Sequence, residues 1–256
     1  MPCRKHKGDD VNKNEIAFRS IAGLTTLVES AVGAKRLNPV RAFGYQLRNG
    51  IPREFNVTRG SKVVQVGMWR LPNALRLAKA IGFEGQGLIV EASEEYATKI
   101  EDEFRSRGYS HMSVVHAAGW FEDAELTMNE SDEPSGNQVD GVELAIPKDF
   151  TGRSFVVPGR RIDGLASEHG VLDADYVEVT VNGAEVDVLN GMPEVLGKAN
   201  RILVAGMMRD SSGRPAHHVV EPILQEHGFR TQVSKEGTVV TEDWGKVDGH
   251  VFGYRA

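Results

Sequence analysis

From residue 62 onward, short β-rich runs alternate with amphipathic helical runs, and this alternation limits the fold more than any other feature of the chain. Lys62 to Gly67 is strand-like, and Leu71 to Ile81 is helical, with Ala74, Leu75, Leu77 and Ala78 expected on the inward face. The pair repeats as Gly87–Glu91 followed by Glu94–Arg107, and a third strand follows at Met112–His116. Parallel neighbours need a crossover connection, usually a helix, so three such β/α units point to a parallel sheet. Alternation resumes with a helix near Ile162–Glu168, a strand at Tyr176–Val181, a helix over Glu185–Leu196, a strand at Arg201–Gly206 and a helix from His217 to His227. The last β-rich pieces, Phe229–Val233, Thr238–Val240 and Val251–Tyr254, have no helix between them, which predicts an antiparallel hairpin. The expected fold is α/β and Rossmann-like: a mostly parallel sheet ending in an antiparallel hairpin, with helices on both faces.

Residues 1–55 read as an N-terminal extension and 56–256 as one domain. In the extension, Ile16, Ile21, Leu24, Leu27, Val28 and Val32 recur at helical spacing between Asn12 and Ala34, and Asn12 with Glu15 resembles a capping box. A turn-rich connection then carries Asn38-Pro39, Gly44, Asn49-Gly50 and Ile51-Pro52. Within the domain, residues 129–153 are polar and carry Pro134, Gly136, Pro147 and Gly152, and they read as an excursion or lid.

Composition narrows the function. The 256 residues include a single cysteine, Cys3, which excludes an internal disulfide framework and a multi-cysteine zinc site. Thirty Lys+Arg against 36 Asp+Glu leave a formal charge of -6, with no global attraction to nucleic acid or to an anionic membrane. The first ten residues lack the apolar stretch of a secretory signal, and no run reaches the roughly 18 apolar residues needed to cross a bilayer. A soluble cytoplasmic protein acting on a small molecule is expected, and a homo-oligomer is compatible with the sequence.

In open parallel sheets the ligand binds beyond the carboxyl ends of the strands, where strand order reverses. The first strand-to-helix junction, VVQVGMWRLP, places Val66, Gly67 and Met68 there. One glycine also suits an ordinary turn. The second strand ends on Glu91, about 20 residues further on, where a carboxylate can accept from both hydroxyls of a ribose; a solvated strand-end acid is the alternative.

Together with the later run YVEVTVNGAEVDVLNGM, these features resemble the FkbM family of S-adenosylmethionine (SAM)-dependent methyltransferases over about Val63 to Tyr254. The resemblance implies the class I methyltransferase fold, SAM as cofactor and O-methylation of a small hydroxylated acceptor, such as a sugar or natural product. It assigns Val66, Gly67 and Met68 to the cofactor loop and Glu91 with Ala92 to the ribose. Ala117 and Ala118 fall where adenine packs, with Trp120 either stacked on the ring or part of the core. The family's fourth-strand motif corresponds to Glu178-Val-Thr180-Val-Asn182-Gly183-Ala184-Glu185, and Arg161-Ile162-Asp163-Gly164-Leu165 resembles the segment before it. Departures are equally specific: Gln65, Thr180 and Asn182 stand where the family carries acids, and Trp69, Arg70 and Pro72 stand where it carries small residues.

Methyl transfer needs an acceptor held in line with the methyl group and a group to take its proton. By position the candidates are Asn182, Glu185 and His116, with Thr180 beside the cofactor; Glu185 serves either as a polar anchor or as a helix-dipole partner. His217 and His218 are bases by residue type, but adjacent helical residues cannot both face one site, and no metal site is expected. Two other classes compete. A non-catalytic methyltransferase-like binding or assembly module would explain the missing acids, and a nicotinamide oxidoreductase would want a fuller glycine fingerprint than Gly67 alone.

Overall fold

The computed structural model describes residues 57–68, 71–132, 136–144, 150–206, 208–233, 239–241, 245–247 and 249–255. The expected N-terminal helix, Trp69, Arg70 and Trp244 lie outside them. The chain divides into two compact units: 55–236 with 248–256, and 1–54 with 237–247.

The larger unit is built on β1 (Lys62–Val66), α1 (Leu71–Ile81), β2 (Gln86–Glu91), α2 (Glu94–Arg107), β3 (Met112–His116), β4 (Ala118–Gly119), β5 (Ala124–Ser131), β6 (Gln138–Val139), β7 (Phe150–Arg160) and α3 (Ile162–Glu168). It continues with β8 (Tyr176–Val179), α4 (Glu185–Asn190), α5 (Pro193–Lys198), β9 (Arg201–Val204), α6 (His217–Glu226) and β10 (Arg230–Val233). In the smaller unit the described residues form one antiparallel pair, β11 (Val239–Thr241) with β12 (Gly245–Val247). The last strand, β13 (Val251–Tyr254), returns to the larger unit.

Seven strands make the main sheet in the order β10-β13-β9-β8-β1-β2-β3. All run parallel except β13, which lies antiparallel between β9 and β10. The expected antiparallel ending is therefore present, with the last strand inserted inside the sheet. Strand order runs one way through β1, β2 and β3 and the other way through β8 and β9. Right-handed crossovers in opposite directions put α1 and α2 on one face and α4 to α6 on the other. Val64, Val66, Leu88, Val90, Val177, Val179, Ile202 and Val204 belong to the large core on the α3–α6 side. By strand alternation Val63, Gln65, Ile89 and Glu178 face α1 and α2. In α1 the buried positions are Ala74, Ala78 and Ile81, and the expected inward Leu75 and Leu77 are only half-buried.

Two expectations change in detail. The helix expected over Glu185–Leu196 is two helices, because Gly191 packs against the Trp120 carbonyl and Pro193 starts a new helix. The excursion at 129–153 begins and ends in strands: β5 and β7 form a long antiparallel pair, with an irregularity between Asn129 and Ser131, inside a second sheet ordered β4-β7-β5-β6. Its core is Ala118, Leu126, Met128, Val139 and Val157, against which Ala92 and Trp120 pack. Among the described residues no helix is long and apolar enough to cross a membrane.

Candidate cofactor site at the carboxyl ends of the strands

The carboxyl ends of β1, β2, β3 and β8 are locked in register. Gly67 N–H donates to the Val90 carbonyl, Ala117 N–H to Glu91 and Thr180 N–H to Val66, at 2.8, 3.1 and 2.8 Å. Gly67 turns the chain out of β1 at φ 74°, and a Cβ there would run into the Thr180 carbonyl oxygen, so only glycine fits this crossing.

Beyond that turn, the single peptide group joining Gly67 to Met68 is held from both sides. Its carbonyl accepts from Gln65 Nε2 and from Thr180 Oγ1, each at 2.7 Å, while Gln65 Nε2 also donates to Thr180 Oγ1 at 2.9 Å. Its N–H donates to Glu91 Oε2 at 2.8 Å. The other carboxyl oxygen of Glu91 accepts from Ser93 N–H, also at 2.8 Å. Ser93 in turn caps α2 through Tyr96 N–H.

Glu91 is only 8% exposed, and burial pushes its carboxyl up to about 7, against the pull of the Ser93, Met68 and Ala92 N–H groups. Met68 N–H and Ser93 N–H each take one lone pair of a different oxygen, and a carboxylate oxygen has two. Beneath it on the α1 side, burial also raises Glu178. Tyr176 Oη donates to it at 2.8 Å, and Gln65 and the charge of Arg76 pull in the opposite direction.

The remaining nominated residues separate. His116 pairs in register with Glu91 and bonds through Nε2 to the Ala92 carbonyl at 3.1 Å, which ties the β3 end to the β2 end. Ala117 belongs to the main core and Ala118 to the core of the second sheet, where Trp120 also packs, its ring 5.3 Å from that of Phe121. Asn182 Nδ2 donates to the Asn137 carbonyl at 2.8 Å, and its own carbonyl accepts from Gln138 Nε2 at 3.0 Å. Gln138 also reaches the Leu144 carbonyl, against which Gly183 packs, so the second sheet is fastened across the end of β8.

Glu185 is fully buried at the start of α4, and neither carboxyl oxygen has a hydrogen-bond partner. Burial pushes it up to about 8, which keeps it protonated at neutral pH; the N–H groups of Glu185 and Gly183 oppose the rise and Asp187 adds to it. His217 and His218 sit on α6 with rings 4.3 Å apart. Burial, then the neighbouring His218, lowers His217. Among the described residues no cluster of three metal-ligating side chains occurs.

Sequence reasoning missed the role of Gln65, which stood out only as the wrong residue type, and that of Asp163. The signal for Gln65 was a polar side chain at an inward position of a buried strand.

No protein-family model matches the chain, and no curated protein does. Solved structures do. Aeropyrum pernix fibrillarin, crystallised with natively bound S-adenosyl-L-methionine, is 13% identical at a TM-score of 0.50, over 83% of this chain and 74% of that one. A Methylobacillus flagellatus structure described as methyltransferase FkbM is 12% identical at 0.49, over 96% of this chain and 60% of that one. The protein has the Rossmann-like fold of the class I methyltransferases.

Proposed function

We propose that the protein is a SAM-dependent methyltransferase of FkbM type that O-methylates a small hydroxylated acceptor, such as a sugar or natural product, in the cytoplasm. The observation that carries this reading is the buried Glu91 carboxylate at the end of β2, one strand from the β1/β8 switch point and anchored to the loop after β1. The residues fit the cofactor: Glu91 would hold the ribose, the Gly67–Met68 turn would take the amino-acid end, and Ala92 would lie beside the nucleoside. SAM supplies an electrophilic methyl group when bound. Acceleration then comes from holding the acceptor oxygen in line while a nearby group takes its proton. This reading assigns to Glu185, buried at the start of α4 with its carboxyl pushed up to about 8, the donation of a hydrogen bond toward the acceptor.

A second reading, a methyltransferase-like binding or assembly module, is favoured by His116 and Asn182, which are bonded to neighbouring carbonyls rather than presented bare. Calorimetric titration with SAM and with S-adenosylhomocysteine separates the two. Micromolar binding of both, followed by methylation in an acceptor screen, is expected of the enzyme. Absence of heat and of thermal stabilisation at millimolar ligand overturns the cofactor assignment.

A further inference from the structure

Gln65 and Thr180 stand on neighbouring strands 115 residues apart in sequence, and they converge on one acceptor, the Gly67 carbonyl oxygen. Gln65 Nε2 donates to Gly67 O at 2.7 Å and the Thr180 hydroxyl donates its own hydrogen to the same oxygen at 2.7 Å, while the Gln65 amide also lies within reach of Thr180 Oγ1 and of Glu178. The reverse orientation of the amide would set its oxygen against a carbonyl oxygen, so the network fixes which end of Gln65 points at the loop. A carbonyl with two donors cannot rotate without losing both. The N–H of the same planar peptide is consequently directed to the opposite side, where Glu91 Oε2 receives it.

We propose that Gln65 and Thr180 are positioning residues of the cofactor site, which act on Glu91 through the Gly67–Met68 peptide. This rests on the methyltransferase reading and refines it. The two positions that depart from the acid-bearing pattern are a matched neutral pair: an ionised carboxylate is acceptor-only and could not donate to Gly67 O at either place. At position 65 it would in addition face Glu178. The clamp therefore shapes the loop with neutral donors, and it sets the direction from which the Glu91 carboxylate meets a ligand. A site held in its bound geometry before the ligand arrives loses less freedom on binding.

The test compares Thr180→Val, Thr180→Ser, Gln65→Met and Gln65→Glu with the parent protein. S-adenosylhomocysteine is titrated calorimetrically between pH 5.5 and 8.5, and amide exchange is followed across residues 64–68 without ligand. Thr180→Val and Gln65→Met are expected to bind about tenfold more weakly, the loss of one or two hydrogen bonds. Thr180→Ser, which keeps the hydroxyl, stays within about twofold, and Gln65→Glu is the weakest binder. Thr180 does not titrate, yet Thr180→Val is expected to move the acid limb of the binding curve to higher pH, because Glu91 loses the Met68 N–H that stabilises its charge. A general loss of stability would not produce that shift. Parent-like affinity with an unmoved acid limb in Thr180→Val overturns the proposal. If the parent itself fails to bind, the methyltransferase reading falls and exchange alone decides the clamp: faster Met68 exchange in Thr180→Val or Gln65→Met supports it, and unchanged exchange overturns it.

Discussion

Glu91 and Met68 are joined by a hydrogen bond of 2.8 Å from the loop amide to a carboxyl oxygen, which connects the end of β2 to the turn after β1. The same carboxyl is the proposed ribose ligand and titrates near 7. Ligand hydroxyls donate to it, so they favour its charged form, and binding takes place with loss of a proton wherever Glu91 starts protonated. Affinity for S-adenosylhomocysteine is expected to rise with pH through about 7 and level off above it. Glu91→Ala should weaken binding by about 1–3 kcal/mol and abolish the pH dependence. Titrations across pH check both; a flat profile in the parent protein would remove Glu91 from the ribose.

Glu185 supplies a second pH effect, on stability. Its folded value of about 8 lies above the ordinary 4.5, so the folded state holds a proton that the unfolded chain has released. The stability it contributes is present in full below about 4.5 and is lost as pH rises through 8, on the order of a few kcal/mol. His250, which burial lowers to about 4, acts in the opposite direction over part of this range, so the informative quantity is a difference. Relative to Glu185→Gln, the parent should lose stability steadily between pH 4.5 and 8 in urea unfolding. Parallel curves for the two proteins would refute the buried protonated acid.

Much of this was legible in the chain. The alternation of runs through Lys62, Gly87, Met112, Tyr176 and Arg201 is set by local burial on both faces of a parallel strand, so the sheet and its ligand end could be read directly. The second sheet was not legible. On β5 and β7 the buried side chains Leu126, Met128 and Val157 are few, and they alternate with exposed Glu125, Thr127 and Val156, too sparse a pattern to separate from a polar loop. Gln65 and Thr180 look like missing acids in one dimension, because their shared acceptor exists only once β1 and β8 are adjacent. Glu185 reads as a polar anchor or a helix-dipole partner, and its full burial is a property of the packed fold that one dimension does not carry.

Asp163 illustrates a role that crosses elements. It sits on α3 at 6% exposure, and its carboxylate accepts from Glu194 and Val195 N–H, at 3.1 and 2.9 Å, at the start of α5, which has no side-chain cap of its own. Arg161 approaches the same carboxylate at 3.4 Å. Asp163→Ala leaves two backbone donors unsatisfied and should cost about 2–3 kcal/mol. Asp163→Asn, which keeps one acceptor oxygen, should cost less. Urea midpoints at constant m-value test the order, and an Asp163→Ala protein as stable as the parent would show that α5 needs no cap.

Arg255 does the corresponding work at the other ends of two helices. Its Nε donates to the Ala199 carbonyl at 2.9 Å, and one terminal nitrogen donates to Leu196 and His227 at 2.6 and 2.7 Å, so three carbonyls at the carboxyl ends of α5 and α6 share one cation. The guanidinium carbon also lies 4.5 Å from the centre of the Phe229 ring. These carbonyls have no partners within their own helices, and they carry the negative end of each helix dipole. A lysine ammonium is a point donor that cannot reproduce the planar fork, so Arg255→Lys should cost about 1–2 kcal/mol and Arg255→Met about 2–3 kcal/mol. Both losses should appear equally in the unfolding midpoint of Phe229→Leu if the bonds to carbonyls dominate. A loss that shrinks by more than half in the Phe229→Leu background would instead place the main stabilisation in the contact between cation and ring.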